Sequence, residues 1–190
     1  MTLWTVQPEQ LYASILKTGT YICDPARSSM PEFTEMYDWL VRQMQERVGM
    51  PPDGVVYPVW AWYAQNGKHK QPDLRSERWG YGKAGDRFVC MEIEVPDEQV
   101  LLSDFDQWAL ILLDGLISET EEEDMWQEKV YQALSDEKKL EMKYENWKRV
   151  FDISPLNSQW MRRGEWIQAN FWVLTKDMIR GVRRFTAAGH

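Results

Sequence analysis

Cysteine and histidine are scarce in this sequence, which contains only Cys23, Cys90, His69 and His190. Two separated cysteines form no metal-binding cluster, and a cytosolic chain normally keeps them reduced. Two histidines are too few for a zinc site built from imidazole ligands. The sequence therefore predicts a cytoplasmic protein that binds no metal.

Long apolar runs are also missing. No stretch approaches the roughly 20 apolar residues that span a bilayer. The opening residues, MTLWTVQPEQ, lack the basic and apolar regions of a signal peptide. The chain contains no P-loop, no dinucleotide glycine fingerprint, no GxSxG elbow and no Cys–His pairing. We expect no membrane partner, and the common enzyme motifs assign no function.

Basic residues are outnumbered: 22 Lys and Arg stand against 30 Asp and Glu, for a net charge of −8. Affinity for duplex DNA comes mainly from cations that meet phosphates, so the balance argues against a duplex nucleic acid as partner. It does not exclude a nucleotide held in a local pocket.

Tryptophan, in contrast, is abundant, with 11 residues among 190. Its large ring and single N–H suit cores, interfaces and stacking sites alike. Packing in a mixed core is the simplest explanation. The run from 55 to 63 is nevertheless unusual, because it contains Tyr57, Trp60, Trp62 and Tyr63.

The order of predicted elements indicates one α+β domain over residues 1–190. Residues 118–148 are rich in Glu and Lys and are expected to form a helical, acidic insertion. The main elements are a strand at Leu3–Gln7, a helix after Pro8 that ends at Gly19, a helix at Phe33–Val48, strands at Val55–Tyr63 and Arg87–Val95, a helix that begins at Ser103 or Asp104, and strands at Glu165–Leu174 and in VRRF.

The strand Val55–Tyr63 is apolar on both sides of its two-residue alternation. Such a strand is either buried on both faces or faces a pocket. Pro58 cannot donate to a ladder, so the strand should be interrupted there or lie at an edge. Trp60 and Trp62 share one side and are the expected wall of a pocket.

The strand Glu165–Leu174 places Gln168 and Asn170 on one side, between Trp166 and Trp172. A buried amide without a partner costs on the order of 1–3 kcal/mol. The two amides should therefore either bond to neighbouring backbone or point into a polar cavity. The sequence leaves both alternatives open.

Two further residues are candidates for chemistry. Arg75, in the segment PDLR, could present its guanidinium to a phosphate, or pair with Asp73 or another surface acid. Asp104 and Asp106 form a carboxylate pair near a helix start. Capping explains one of them, and a general-base role is open to the other.

Five ordered motifs, WTVQPEQLY, YPVWAWY, PDLR, LLSDFDQW and IQANFW, together resemble one bacterial family, domain of unknown function 3841. The resemblance covers nearly the whole chain. It implies a small, stand-alone cytoplasmic protein and no particular activity.

A weaker resemblance, to ADP-ribosyltransferases, rests on LWTVQPEQLYASILKTG and IQANFWVLTKDMIRGVRRF. It implies a split mixed sheet flanked by helices, with NAD as the cofactor. Thr5 or Gln7 stands in the polar position of the first strand, and Tyr57 or Trp60 in the stacking position. Gln168 stands where those enzymes have a glutamate, and a neutral amide supplies no negative charge.

These observations lead to two expectations of different class. The first is a nucleotide-binding protein of NAD type, with transfer of ADP-ribose to an unknown target as its reaction. Its expected catalytic residues are Gln168 and Asp104, and its ligand-binding residues are Thr5, Gln7, Tyr57, Trp60, Trp62, Arg75 and Asn170. The alternative is a non-catalytic interaction or immunity-type module whose exposed tryptophans contact a protein partner. A third hypothesis is that the aromatic wall binds a sugar or a base and catalyses no reaction.

Overall fold

The computed structural model describes residues 1–23 and 31–189. The strands are β1 (Thr2–Pro8), β2 (Thr20–Tyr21), β3 (Val59–Ala64), β4 (Arg87–Glu94), β5 (Leu101–Asp104), β6 (Leu156–Asn157), β7 (Arg162–Arg163), β8 (Ile167–Phe171), β9 (Leu174–Thr175) and β10 (Ile179–Thr186). The α-helices are α1 (Glu9–Thr18), α2 (Thr34–Arg47), α3 (Leu74–Glu77), α4 (Phe105–Leu112), α5 (Glu121–Gln132) and α6 (Asp136–Trp147). This combination confirms the predicted α+β class.

The central sheet contains six strands in the order β10, β4, β1, β3, β8, β5, and each of its described strand pairs is antiparallel. Two small ribbons, β2 with β9 and β6 with β7, lie outside it. The first strand of the chain is thus central in the sheet, while β5 and β10 form its edges.

The sheet separates two apolar clusters. One packs against α1 and contains Leu3, Ile15, Val59, Met91, Ile93, Ala169 and Phe171. The other joins α2, α4 and α6 to the β3–β8–β5 end of the sheet and contains Trp39, Leu40, Met44, Leu101, Trp108, Ile111 and Trp147. Much of the tryptophan is therefore core, as the simplest explanation of its abundance predicts.

The predicted helix after Pro8 is confirmed as α1, and it ends at Gly19. This residue has φ of 85° and its N–H bonds to the carbonyl of Ile15. Glycine adopts this left-handed conformation without the strain of a Cβ. The predicted helix at Phe33–Val48 is confirmed as α2, and α5 and α6 occupy the acidic region 118–148.

The start of one predicted strand was wrong, and one strand was not predicted. The aromatic strand begins at Val59 instead of Val55, directly after Pro58, which has no N–H to contribute to a ladder. The sequence predicts a helix that begins at Ser103 or Asp104 and no strand before it, but Leu101–Asp104 forms the edge strand β5. Only its last residue, Asp104, caps α4. A short apolar run does not by itself distinguish a strand from the beginning of a helix.

In the part of the chain that the structure describes, no helix is both long and apolar enough to cross a membrane.

Candidate functional site

A small cavity opens beside the central strands, and we call it the central hollow. Its volume is about 190 Å³, and it is lined by Trp4, Val6, Gln7, Trp60, Ala61, Trp62, Tyr81 and Gln168. Four of these residues, Gln7, Trp60, Trp62 and Gln168, were predicted from sequence as site residues. They come from β1, β3 and β8, so the fold brings together side chains that are distant along the chain.

The hollow forms where β1 and β3 are only briefly paired. Seven described residue pairs align β1 with β4, whereas one pair, Trp4 with Trp62, aligns β1 with β3. Beyond that pair, the Thr5 hydroxyl bridges the strands by donating to the Trp60 carbonyl at 3.0 Å. The same hydroxyl accepts from Gln7 Nε2 at 3.0 Å. Thr5 is itself buried, so it positions Gln7 and does not line the hollow.

A second cavity, which we call the acidic cavity, adjoins the first and shares Trp62 and Tyr81 with it. Its volume is about 330 Å³, and its other lining residues are Gln65, Glu77, Gly80, Phe105, Asp106 and Trp166. Trp62 forms edge-on contacts with the rings of Phe105 and Trp166. Its Nε1 also donates to Tyr81 Oη at 3.5 Å.

Burial changes the acidity of three groups around the acidic cavity. It raises the pKa of Glu77, which hydrogen-bonds to Gln65 and Tyr81. It also raises the pKa of Asp106, and the nearby charges of Asp104 and Glu165 act in the same direction. Burial raises the pKa of the Tyr81 phenol to about 12. Carboxyl groups with raised pKa values beside aromatic rings are common features of functional sites.

Sequence reasoning missed Glu77 and Tyr81. Both belong to the segment after β3, where the glycines and lysines between 66 and 85 indicated only a loop. The α3 helix and its following turn fold this segment back toward Trp62. No spacing rule could have placed Tyr81 there, because the contact depends on the path of the loop.

A row of unpartnered polar atoms lies next to the central hollow. Gln168 is opposite Trp62 on one side and Ser103 on the other. Gln168 Oε1, Ser103 Oγ and both amide atoms of Asn170 are buried, and each lacks a hydrogen-bond partner among the described residues. Gln168 reaches the hollow, whereas Asn170 is 0% exposed and lines no described cavity.

Besides Thr5 and Asn170, three further predicted site residues do not line the hollow. Arg75 has a 91% exposed side chain and pairs with Asp73 at 2.8 Å. Tyr57 donates its hydroxyl to Asp38.

The third, Asp104, is fully buried and belongs to the framework. Its Oδ1 accepts from the Gln107 N–H at 3.0 Å, and its Oδ2 accepts from the Gly164 N–H at 2.7 Å. These bonds cap α4 and join it to the loop before β8.

Two larger cavities, of about 720 Å³ and 610 Å³, lie elsewhere. The first is at the start of α1, where Glu9 already pairs with Arg87 and Arg184. The second is lined mostly by apolar side chains near Trp172. Neither contains a predicted site residue. We therefore favour the central hollow and the acidic cavity, which combine aromatic walls, the partly unpartnered amide of Gln168 and acids with raised pKa values.

Comparison with known families identifies the family of this chain. The profile of the family described as domain of unknown function (DUF3841) matches residues 2–180, so the chain belongs to that family. No curated protein and no solved structure matches it.

Proposed function

We propose that the central hollow binds the flat ring of a nucleotide of NAD type. The observation that carries this proposal is the convergence of Gln7, Trp60, Trp62 and Gln168 on one cavity, with Tyr81 as a further wall. Indole and phenol faces suit a planar ring, and carboxamides suit its polar edge. The cavity of about 190 Å³ has room for a single ring. The remainder of a nucleotide would extend outside it.

The charge of the surroundings favours the oxidised nicotinamide ring, which is cationic. Glu77 and Asp106 lie in the adjoining acidic cavity, and Arg162 is a cation whose charge acts on Asp106 against the effect of burial. Aromatic faces and nearby carboxylates both attract an organic cation. Arg75 has no part in this proposal, because its guanidinium is already paired with Asp73 outside the hollow.

The reaction that fits such a site is transfer of ADP-ribose. The bond between ribose C1′ and the nicotinamide nitrogen would break, with its electron pair leaving on the now neutral nicotinamide. The lone pair of an acceptor atom would form the new bond to C1′, and the acceptor's proton would pass to a carboxylate such as Glu77. A carboxylate in the adjoining cavity supplies the negative charge that Gln168 lacks.

Isothermal titration calorimetry and tryptophan fluorescence test the proposal directly. We expect NAD to release heat and quench fluorescence, and we expect Trp62→Leu to weaken both signals strongly. The matched control is Trp126→Leu, because Trp126 on α5 is 60% exposed and lines neither cavity. An absence of heat and quenching at millimolar NAD would exclude the proposal.

A second candidate function, protein interaction, is favoured by the exposed tryptophans. Trp79, Trp126 and Trp160 are 58%, 60% and 45% exposed. Trp126 and Met125 follow four acidic residues in the first turn of α5, an arrangement suited to a basic partner with an apolar anchor. Cross-linking of native complexes followed by Trp126→Ala tests this candidate. A stoichiometric partner that is lost in the variant would support it, and a partner retained in the variant would contradict it.

A further inference from the structure

We infer that the central hollow selects a ring bearing an uncharged carboxamide over the same ring bearing a carboxylate. The inference rests on the proposed function and specifies the chemistry of the group that the hollow recognises. Two independent observations carry it: the charges around the hollow and the unpartnered polar atoms next to it.

The first observation is electrostatic. None of the eight residues that line the hollow carries a charged side chain. Two acids bond to lining residues: Glu92 accepts a hydrogen bond from Trp4 Nε1 at 3.2 Å, and Glu77 hydrogen-bonds to Tyr81. The Arg183 guanidinium lies behind the lining, beside Cys90, and donates to the Pro72 carbonyl. A carboxylate that enters would lose water, would meet no cation among the lining residues, and would be repelled by both acids. An uncharged carboxamide avoids both penalties.

The second observation is the set of unpartnered groups. Gln168 lines the hollow, and its Oε1 is buried and has no described partner; Ser103 Oγ, opposite it on β5, is likewise buried and unpartnered. Such groups are rare in folded proteins, because each one costs free energy. A primary carboxamide offers both a donor and an acceptor to them, whereas a carboxylate offers acceptors alone.

These two side chains differ in their access to a ligand. Gln168 reaches the cavity directly, whereas Ser103 is 0% exposed and lies one strand further from Trp62. We therefore assign Gln168 to direct recognition of the carboxamide. Ser103 is a positioning residue, which would orient the Gln168 amide when the site is occupied.

The test compares nicotinamide with nicotinate, which differ only in this group, by tryptophan fluorescence titration of the wild-type protein at pH 7.5. NAD and its deamido analogue form a second matched pair. We expect the carboxamide compound of each pair to bind at least about 10-fold more tightly, the order of magnitude associated with leaving one polar group unpaired. We expect Gln168→Leu to reduce this preference, and the part caused by the neighbouring acids to remain. Gln132→Leu, a change of an exposed glutamine on α5, should leave it intact.

The outcomes separate this inference from the proposed function. If NAD and nicotinamide both fail to bind, the proposed function fails, and the inference fails with it. If they bind and the carboxylate compounds bind as tightly, the inference alone is overturned. Should Gln168→Leu lose its native near-ultraviolet circular dichroism, Ser103→Ala replaces it, with a reduced preference expected. In either case, the ratio of the two affinities measured with the wild-type protein decides whether the hollow prefers the carboxamide.

Discussion

Trp4 lies directly opposite Trp62 in the antiparallel pairing of β1 with β3. Trp4 is 6% exposed and donates to Glu92, while Trp62 is half-buried and contacts Tyr81, Phe105 and Trp166. The two indoles therefore have different surroundings although they form one cross-strand pair. Trp4 belongs mainly to the framework, and Trp62 separates the two cavities of the candidate site.

This difference predicts unequal effects of removing the two rings. Trp4→Ala should lower the free energy of unfolding by about 3–5 kcal/mol, because a nearly buried indole is lost. Trp62→Ala should cost clearly less, because part of its ring is already in water, and should weaken NAD binding more. Urea denaturation and fluorescence titration of both variants measure the two effects. Equal costs in stability would contradict the division of roles.

Asp104 should act on stability and not on ligand binding. Asp104→Ala removes the cap of α4 and leaves the Gly164 N–H without its acceptor. We expect a loss of about 2–4 kcal/mol in the free energy of unfolding. Asp104→Asn should cost less, because asparagine caps helices about as well as aspartate. If the Asn variant is fully stable but loses transfer of ADP-ribose, Asp104 would have the catalytic role that the sequence predicts for it.

For Asn170, in contrast, we expect a substitution that increases stability. This residue is fully buried, and both of its amide atoms lack described partners. Replacing it with the similarly sized, apolar Leu removes groups that each cost about 1–3 kcal/mol when unpaired. We therefore expect Asn170→Leu to raise the free energy of unfolding in urea. A less stable variant would indicate that the amide makes a needed bond, and Asn170 would then be a structural residue.

Arg75 should be dispensable. Its guanidinium is largely exposed and bonds only to Asp73 among the described residues. Exposed ion pairs of this kind contribute little to stability. We expect Arg75→Ala to leave the denaturation midpoint and the affinity for NAD unchanged. A loss of NAD affinity with unchanged stability would restore the phosphate-binding role expected from sequence.

Glu77 should make stability depend on pH. Its folded pKa is raised above 4.5, first by burial. The folded state therefore binds the proton more tightly than the unfolded state does, and stability falls as pH rises from the unfolded pKa through the folded one. Glu77→Gln removes this loss. The variant should gain stability relative to wild type at pH 7 and gain less at pH 4, as measured by urea denaturation at both values. An equal difference at the two pH values would contradict this assignment.

The local elements of the fold follow from the order of residues. Apolar spacing predicted α1 and α2, Gly19 marked the end of α1, and alternation predicted β4. These features depend on neighbours within a few residues, so they can be read directly along the chain. The β5 strand escaped this reasoning because four residues show too little alternation to identify a strand.

Sequence alone also selected Trp60, Trp62 and Gln168, because amides and clustered tryptophans on apolar strands are unusual, whereas Gln7 was selected by the resemblance to ADP-ribosyltransferases. Their meeting was decided by the tertiary structure. The strand order that places β1, β3 and β8 side by side arises from pairings between distant segments. The same long-range packing leaves Arg75 outside the candidate site and makes Asp104 the cap of α4. It also brings Glu77 and Tyr81, which the sequence placed in a loop without a role, close to Trp62. Residue type determined which side chains could form a site, and contacts between distant segments determined which of them do.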